Sequence, residues 1–374
     1  MVSVRPAVQA LPAYKPGRNP ADLAREIGVE RAIKLASNEV AFPPLPAVVA
    51  ALAAAAAETN RYPDNGAVVL TRALAERYGV QPSQVVTGCG AVTICQELAQ
   101  AFNDPGTSMA FAWRSFEMYP LLARVAGARA IQVPLTPGRP GGPADTHDLE
   151  ALAAAIDDTT RVVFVCNPNN PTGTAVRRAE LEKFIDAVPE QTLVVLDEAY
   201  REFVTDPDVP DGLEIMRGRP NVAVLRTFSK AWGLAGIRVG YLIAEDPAVA
   251  EAIGKTHVPF SVSMLAQAAA VAALASEDEV RARCRAVVAE RARLTTALRE
   301  RGLDVADSQA NFVWLPLGEP TTALAAALEA RAVITRPFAG EGIRVTVGTP
   351  EEDDVFLAAL DSSLDAARAG TTSP

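Results

Sequence analysis

The chain predicts an α/β fold: a large unit with a mostly parallel central sheet, and a smaller α+β unit after it. Three observations predict this. Three apolar runs, Val162–Cys166, Leu193–Leu196 and Val222–Leu225, alternate with helical patterns, as strands of a doubly wound sheet do. Each run ends in a polar cluster: Asn167–Gly173, Asp197–Tyr200 and Thr227–Lys230. Ligands of such sheets sit at the carboxyl ends of the strands, so the three clusters are expected to converge. After Lys255 the pattern changes to two long helical stretches, strand-like segments and a last helix, which reads as a separate α+β unit.

Taken in order, residues 1–40 read as an arm broken by Pro6, Pro12, Pro16 and Pro20, with a short helix near Ala21–Ile27. Pro46 suits the first position of a helix running to Ala57. Arg61–Gly66 is a turn by composition, and Val68–Tyr78 is helical, with Leu70, Leu74 and Tyr78 on one face. A strand at Val85–Thr87 then enters Gly88 and Gly90 and a helix over Thr93–Phe102. Glycine turns that open helices offer amides and a positive dipole end to anions. This is not the dinucleotide fingerprint, because Thr93 stands where a third glycine is required. Beyond Lys255 come helices over Ser263–Ala275 and Asp278–Arg301. Strands follow at Phe312–Leu317, Val333–Arg336 and Ile343–Val347, then a helix over Glu351–Ala369. The expected units are the 1–40 arm, which joins the small unit or a partner subunit, a large unit over 41–257 and a small one over 258–374.

With 374 residues the chain can build more than one domain. A net charge of −10 argues against a broad nucleic-acid or anionic-membrane surface. Four cysteines without CxxC spacing and two histidines, His147 and His257, make a zinc site or a disulfide framework a poor expectation. A reducing cytoplasm fits them. No signal peptide is expected at the N-terminus, and no run of apolar residues is long enough to span a membrane.

The chemistry concentrates in Arg226–Tyr241, where hydroxyls, Lys230, Arg238 and three glycines follow a strand. Hydroxyls with an arginine suit a phosphate, and an amine condenses with an aldehyde. A phosphate and an aldehyde on one molecule describe pyridoxal phosphate. That cofactor requires a lysine, Lys230, and an acid to keep its pyridine nitrogen protonated, for which Asp197 stands at a strand end. Tyr200 and Asn170 would donate to its phenolic oxygen. The Gly90 turn, the amides of Ala91 and Val92, Thr227, Ser229 and Arg238 would cup the phosphate. Phe116 would lie against the ring, and Arg344 would fork onto a substrate carboxylate. Each residue also has a plainer reading: a helix cap for Asp197, a proline turn for Asn167–Gly173, core for Phe116, a surface turn for Tyr62, a surface ion pair for Arg344. Their occurrence together, in the order the chemistry needs, favours the cofactor.

From Lys34–Glu39 to Arg344–Glu352 the chain resembles the fold-type I pyridoxal-phosphate aminotransferases, in the histidinol-phosphate/aromatic group. The strings Gly88–Gln96, Trp113–Glu117, Val258–Ser263 and Arg336–Phe338 are similar to those of actinobacterial aromatic (phenylalanine) aminotransferases. The resemblance implies Lys230 as the Schiff-base lysine and repeats the roles given above for Asp197, Asn170, Tyr200, Thr227, Ser229, Arg238 and Arg344. It further implies a homodimer in which Tyr62 reaches the phosphate of the neighbouring subunit. Histidinol-phosphate enzymes show an acidic pair where Val92 and Thr93 stand, and an arginine near Arg336 holds their substrate phosphate. Tyr14 would line the substrate pocket in either branch. The implied activity is transamination between an aromatic amino acid and 2-oxoglutarate. Histidinol-phosphate transamination is the alternative. A decarboxylase is disfavoured by Arg344, and a DNA-binding regulator by the short, proline-broken arm.

Overall fold

The computed structural model describes residues 2–11, 17–137 and 145–371, with the side chains of Pro6 and of residues from 365 onward excepted. Its twelve described strands form three sheets. In chain order they are β1 (Ile33–Lys34), β2 (Val85–Gly88), β3 (Ser108–Trp113), β4 (Arg129–Pro134), β5 (Thr160–Cys166), β6 (Leu193–Asp197), β7 (Val222–Thr227), β8 (Gly240–Ala244), β9 (Phe312–Leu315), β10 (Val333–Ile334), β11 (Arg336–Phe338) and β12 (Gly342–Thr346). The large sheet has the order β2-β8-β7-β6-β5-β3-β4. Only β8 runs against its neighbours in that sheet. The family-level expectation of a mostly parallel sheet is therefore met.

Alternation along the central strands explains their unbroken apolar composition. Val163 and Val165 of β5 pack in one core with Val194, Leu196, Val222 and Val224. Val162, Phe164 and Cys166 pack in a second core with Leu193, Val195, Ala223 and Leu225. Both faces are covered, so neither face selects polar residues.

β11, β12 and β9 make an antiparallel three-stranded sheet, and β1 pairs in parallel with β10. The chain near residue 34 is thereby tied to the segment around residue 334. Four expectations need correction. The arm carries, besides the expected helix, found at Pro20–Ile27, a second helix at Pro6–Gln9. The helix expected from Thr93 begins at Ala91, directly after Gly90. The single strand expected over Val333–Arg336 breaks at Thr335, and its halves join different sheets. Strands β3, β4 and β8 were not expected. Ser108–Trp113 has no β-branched residue, Arg129–Pro134 is an edge strand ending in proline, and Gly240–Ala244 is hidden behind a glycine-rich turn.

Register fixes the site. Cys166 pairs with Asp197 and Asp197 with Leu225, so β5, β6 and β7 end in line. Gly240 pairs with Gly88 on one side and Thr227 on the other. A Cβ on Gly240 would lie 2.5 Å from the Ala91 nitrogen and 3.0 Å from the Gly90 carbonyl carbon, which are backbone atoms with no room to yield. Among the described residues no helix is long and apolar enough to cross a membrane. Gly240→Ala should destabilise the fold by about 1–3 kcal/mol through overpacking. Urea denaturation checks this, and an unchanged midpoint would show that the helix is not pressed against β8.

Candidate active site

Lys230 follows β7 in a tight turn, and its Nζ donates to the Ser37 carbonyl at 3.0 Å. Burial, aided by the positive Arg344 and Arg238, brings its amine down to about 7 from the ordinary lysine value, against the pull of Glu39 and Asp197. An amine in that range carries a neutral fraction at neutral pH, as nucleophilic and general-base chemistry requires.

Asp197 closes β6 and is 5% exposed. Its Oδ2 accepts from the Tyr119 hydroxyl at 2.6 Å and its Oδ1 from the Ala199 amide at 3.2 Å. Burial raises its carboxyl above the usual range, while these two bonds and Lys230 oppose the rise. Tyr119 is fully buried and stacks on Phe164 with centroids 4.4 Å apart. Phe116 meets Tyr119 edge-on at 5.5 Å, so the aromatic residue expected against a ring and the acid expected beneath it share Tyr119 as a neighbour.

A second chain of contacts runs through the Asn167–Gly173 loop and β12. The Tyr200 hydroxyl accepts from Asn38 Nδ2 at 2.9 Å, and burial pushes its own ionisation upward. Arg344 Nη1 donates to Asn170 Oδ1 at 2.5 Å, and its Nη2 donates to the Ala36 carbonyl. Asn38 sits in the left-handed region at φ 54°. Its backbone amide donates to the Thr346 hydroxyl, and its carbonyl accepts from Asn311.

The third part is the start of the helix Ala91–Phe102. Gly90 caps it at φ 83°, and no side chain caps the helix amides. A Cβ on Gly90 would lie 2.5 Å from Arg238 Nη2, so the guanidinium reaches the helix end through the space glycine leaves. Thr227 Oγ1 accepts from the Ser229 amide at 3.1 Å, and both residues are buried. Free helix amides, an arginine and two hydroxyls form an anion-binding set.

These residues fit pyridoxal phosphate on their own chemistry: an amine made less basic by burial, a buried carboxylate at a neighbouring strand end, and an anion cup at the end of β2. The structure thus brings together Lys230, Asp197, Tyr200, Asn170, Thr227, Ser229, Arg238, Gly90, Ala91, Val92, Phe116 and Arg344 around the carboxyl ends of the sheet. Tyr62 stands apart, 80% exposed, its ring stacked on Phe260 at 4.6 Å. Arg336 Nη2 donates to Glu117 Oε2 at 2.8 Å. Tyr14 lies outside the described residues. Sequence reasoning missed Tyr119 and Asn38. Asn38 lies within Lys34–Glu39 and Tyr119 two residues past Trp113–Glu117, but a bond to Asp197 or Tyr200 has no sequence signature.

Residues 30–360 match the model of the family described as aminotransferase class I and II. The chain belongs to this family. Its members carry an amino group between an amino acid and a 2-oxo acid, with pyridoxal phosphate as cofactor. The chain is 56% identical to an aromatic amino acid aminotransferase of Streptomyces avermitilis and 55% identical to one of Thermobifida fusca, covering 95% of each chain in both comparisons. A histidinol-phosphate aminotransferase of Sinorhizobium meliloti, solved with pyridoxal-5′-phosphate, superposes with a TM-score of 0.87 at 30% identity, over 98% of this chain and 99% of that one.

Tyr119→Phe removes a hydrogen bond from a buried carboxylate and should cost about 1–3 kcal/mol at neutral pH in the cofactor-free protein. Protonated Asp197 has less need of that donor, so the cost should shrink as pH falls through the raised carboxyl range. Thermal melts across pH check this. A pH-independent cost would mean that the hydroxyl does not serve the charged carboxylate.

Proposed function

We propose that this chain is an aromatic amino acid aminotransferase that moves the amino group of phenylalanine, tyrosine or tryptophan to 2-oxoglutarate. The observation that carries the transaminase reading is the amine of Lys230, lowered to about 7, beside the buried Asp197 carboxylate at the ends of adjacent strands. Lys230 would hold the cofactor's aldehyde carbon and Asp197 the proton on its ring nitrogen. Asn170 and Tyr200 would take the phenolic oxygen, with Phe116 against the ring. Thr227, Ser229, Arg238 and the Ala91 and Val92 amides would take the phosphate, with the Arg238 guanidinium in the space that Gly90 leaves. When bound, pyridoxal phosphate supplies an electron sink for the bond broken at the substrate's α-carbon. Lys230 Nζ removes the α-proton and later returns a proton, acting as base and then acid. Arg344 orients the substrate carboxylate.

The aromatic reading is supported by the two relatives' names and by the pairing of nearby arginines. Arg336 is engaged by Glu117, and Arg114 is engaged by Glu341 while its guanidinium lies 4.3 Å over the Trp113 ring. A substrate phosphate would have to displace a carboxylate from either arginine. The histidinol-phosphate reading keeps one supporting fact, the fold likeness to the Sinorhizobium enzyme. Tyr14 would line the substrate pocket under both readings, and Arg336 would help hold the substrate phosphate under the histidinol-phosphate one.

A homodimer belongs to this proposal, with Tyr62 serving the partner subunit's phosphate. Its support is an exposed apolar group of Tyr62, Val68, Val69, Val258 and Phe260 on the turn Arg61–Gly66 and its surroundings. The division into an arm (1–40), a large unit (41–257) and a small unit (258–374) is proposed with it, as is a cytoplasmic setting, in keeping with four free cysteines.

Turnover of phenylalanine, tyrosine, tryptophan and histidinol phosphate, each with 2-oxoglutarate, tests the substrate. The aromatic donors should lead in kcat/KM, and Lys230→Ala should abolish turnover of all. A large preference for histidinol phosphate would reverse the assignment.

A further inference from the structure

Among the buried charged residues outside the site described so far is Glu97. Glu97 sits on the helix Ala91–Phe102, 2% exposed among Ile94, Leu98 and other apolar residues. A buried carboxylate is costly unless paired. Its pair is His257, whose Nδ1 lies 2.9 Å from Glu97 Oε1. The carboxylate holds the imidazole above its ordinary range. On the far side, His257 Nε2 lies 3.1 Å from Ser261 Oγ. Thr256 Oγ1 also donates to the Glu97 carbonyl at 2.8 Å, which ties the same segment to the same helix a second time.

Acid, imidazole and hydroxyl in this order form the nucleophilic triad of many hydrolases. Here the neighbouring amides are already spent. The Ser261 amide donates to the Val258 carbonyl at 3.2 Å, and the Phe260 amide to Asn65 Oδ1 at 2.7 Å. Neither of these amides is left to form an oxyanion site beside Ser261, so the relay has a mechanical role.

Its load is Phe260. This residue adopts φ 61°, a strained conformation for a bulky side chain that persists only where flanking contacts enforce it. Ser261 is held by His257 on one side, and the Phe260 amide is held by Asn65 on the other. The result lays the Phe260 ring on Tyr62, with planes 27° apart. Gln267 Nε2 adds a bond to the Asp64 carbonyl at 2.8 Å, so the Arg61–Gly66 turn is gripped at three points.

We propose that Glu97, His257 and Ser261 form a positioning relay that presents Tyr62 to the partner subunit's cofactor phosphate, linking the phosphate-cup helix of one site to the residue that serves the other. The inference rests on the dimer reading given above. His257 is thus a positioning residue acting through Phe260 and Tyr62. Its loss is felt in the neighbouring site, whereas a purely structural residue would weaken its own subunit.

Hybrid dimers separate the two outcomes. One subunit carries Lys230→Ala, so only the other forms the lysine-bound cofactor whose absorbance reports pyridoxal phosphate affinity. His257→Leu placed on the Lys230→Ala subunit should weaken that affinity about fivefold, the scale of one lost hydrogen bond. Placed on the Lys230-bearing subunit, it should leave the affinity unchanged. His257→Gln, whose amide still bridges Glu97 and Ser261, should restore most of the loss. Ser261→Ala, a milder change that spares folding, should reproduce the same trans pattern. A loss confined to the subunit bearing the variant overturns the proposal. Tyr62→Phe runs as the reference in the same hybrids. If it weakens the neighbouring site and His257→Leu does not, the relay fails and the dimer reading stands. If Tyr62→Phe has no effect in trans, the dimer reading fails and the relay falls with it.

Discussion

The structure is organised around the burial of an amine and a carboxylate at the ends of adjacent strands. Neither group is stable in an apolar interior without help. Asp197 is kept in place by a tyrosine hydroxyl and a backbone amide, and Lys230 is held at a carbonyl and made a weaker base. The rest of the polar architecture follows from that constraint. Tyr119 must be buried to reach Asp197, so it is stacked on Phe164, and the segment that carries it brings Phe116 to the same place. Parallel register then aligns Cys166, Asp197 and Leu225, so loops from three strands meet at one depth.

The anion end of the site has a different logic. It depends on closeness of backbone, not on charge pairing. Gly240 lets the helix start at Ala91 lie against β8, and Gly90 makes the space that Arg238 occupies. Both glycines are required by contact distance, and Gly90 also by its positive φ. Side chains from Thr227 and Ser229 complete the cup from β7. The same helix carries Glu97 six residues further along, so the cup and the relay to Tyr62 share one rigid element.

Much of this was legible in the sequence because apolar strands in a covered sheet announce themselves. Val162–Cys166 and Val222–Leu225 are unbroken apolar runs, and the polar clusters after them mark the carboxyl ends. The strands that escaped notice lacked that signal: Ser108–Trp113 is built on alanine, methionine and aromatics, and Gly240–Ala244 begins inside a glycine-rich motif. Among the candidate site residues, those in long motifs could be named from the sequence. Tyr119 and Asn38 were not, because their role is a hydrogen bond across 78 and 162 residues of chain to Asp197 and Tyr200. The pairing of Arg336 with Glu117, which bears on the substrate, is likewise a contact across 219 residues and leaves no trace in local pattern.

The convergence of the strand ends on one lysine can be tested by a single chemical measurement. The chain has five lysines: Lys15, Lys34, Lys183, Lys230 and Lys255. Borohydride treatment of the protein loaded with pyridoxal phosphate, followed by digestion and mass spectrometry, locates the lysine that holds the cofactor. The expected result is one stoichiometric label on the peptide containing Lys230. A stoichiometric label on any of the other four, with Lys230 unmodified, would contradict the site described.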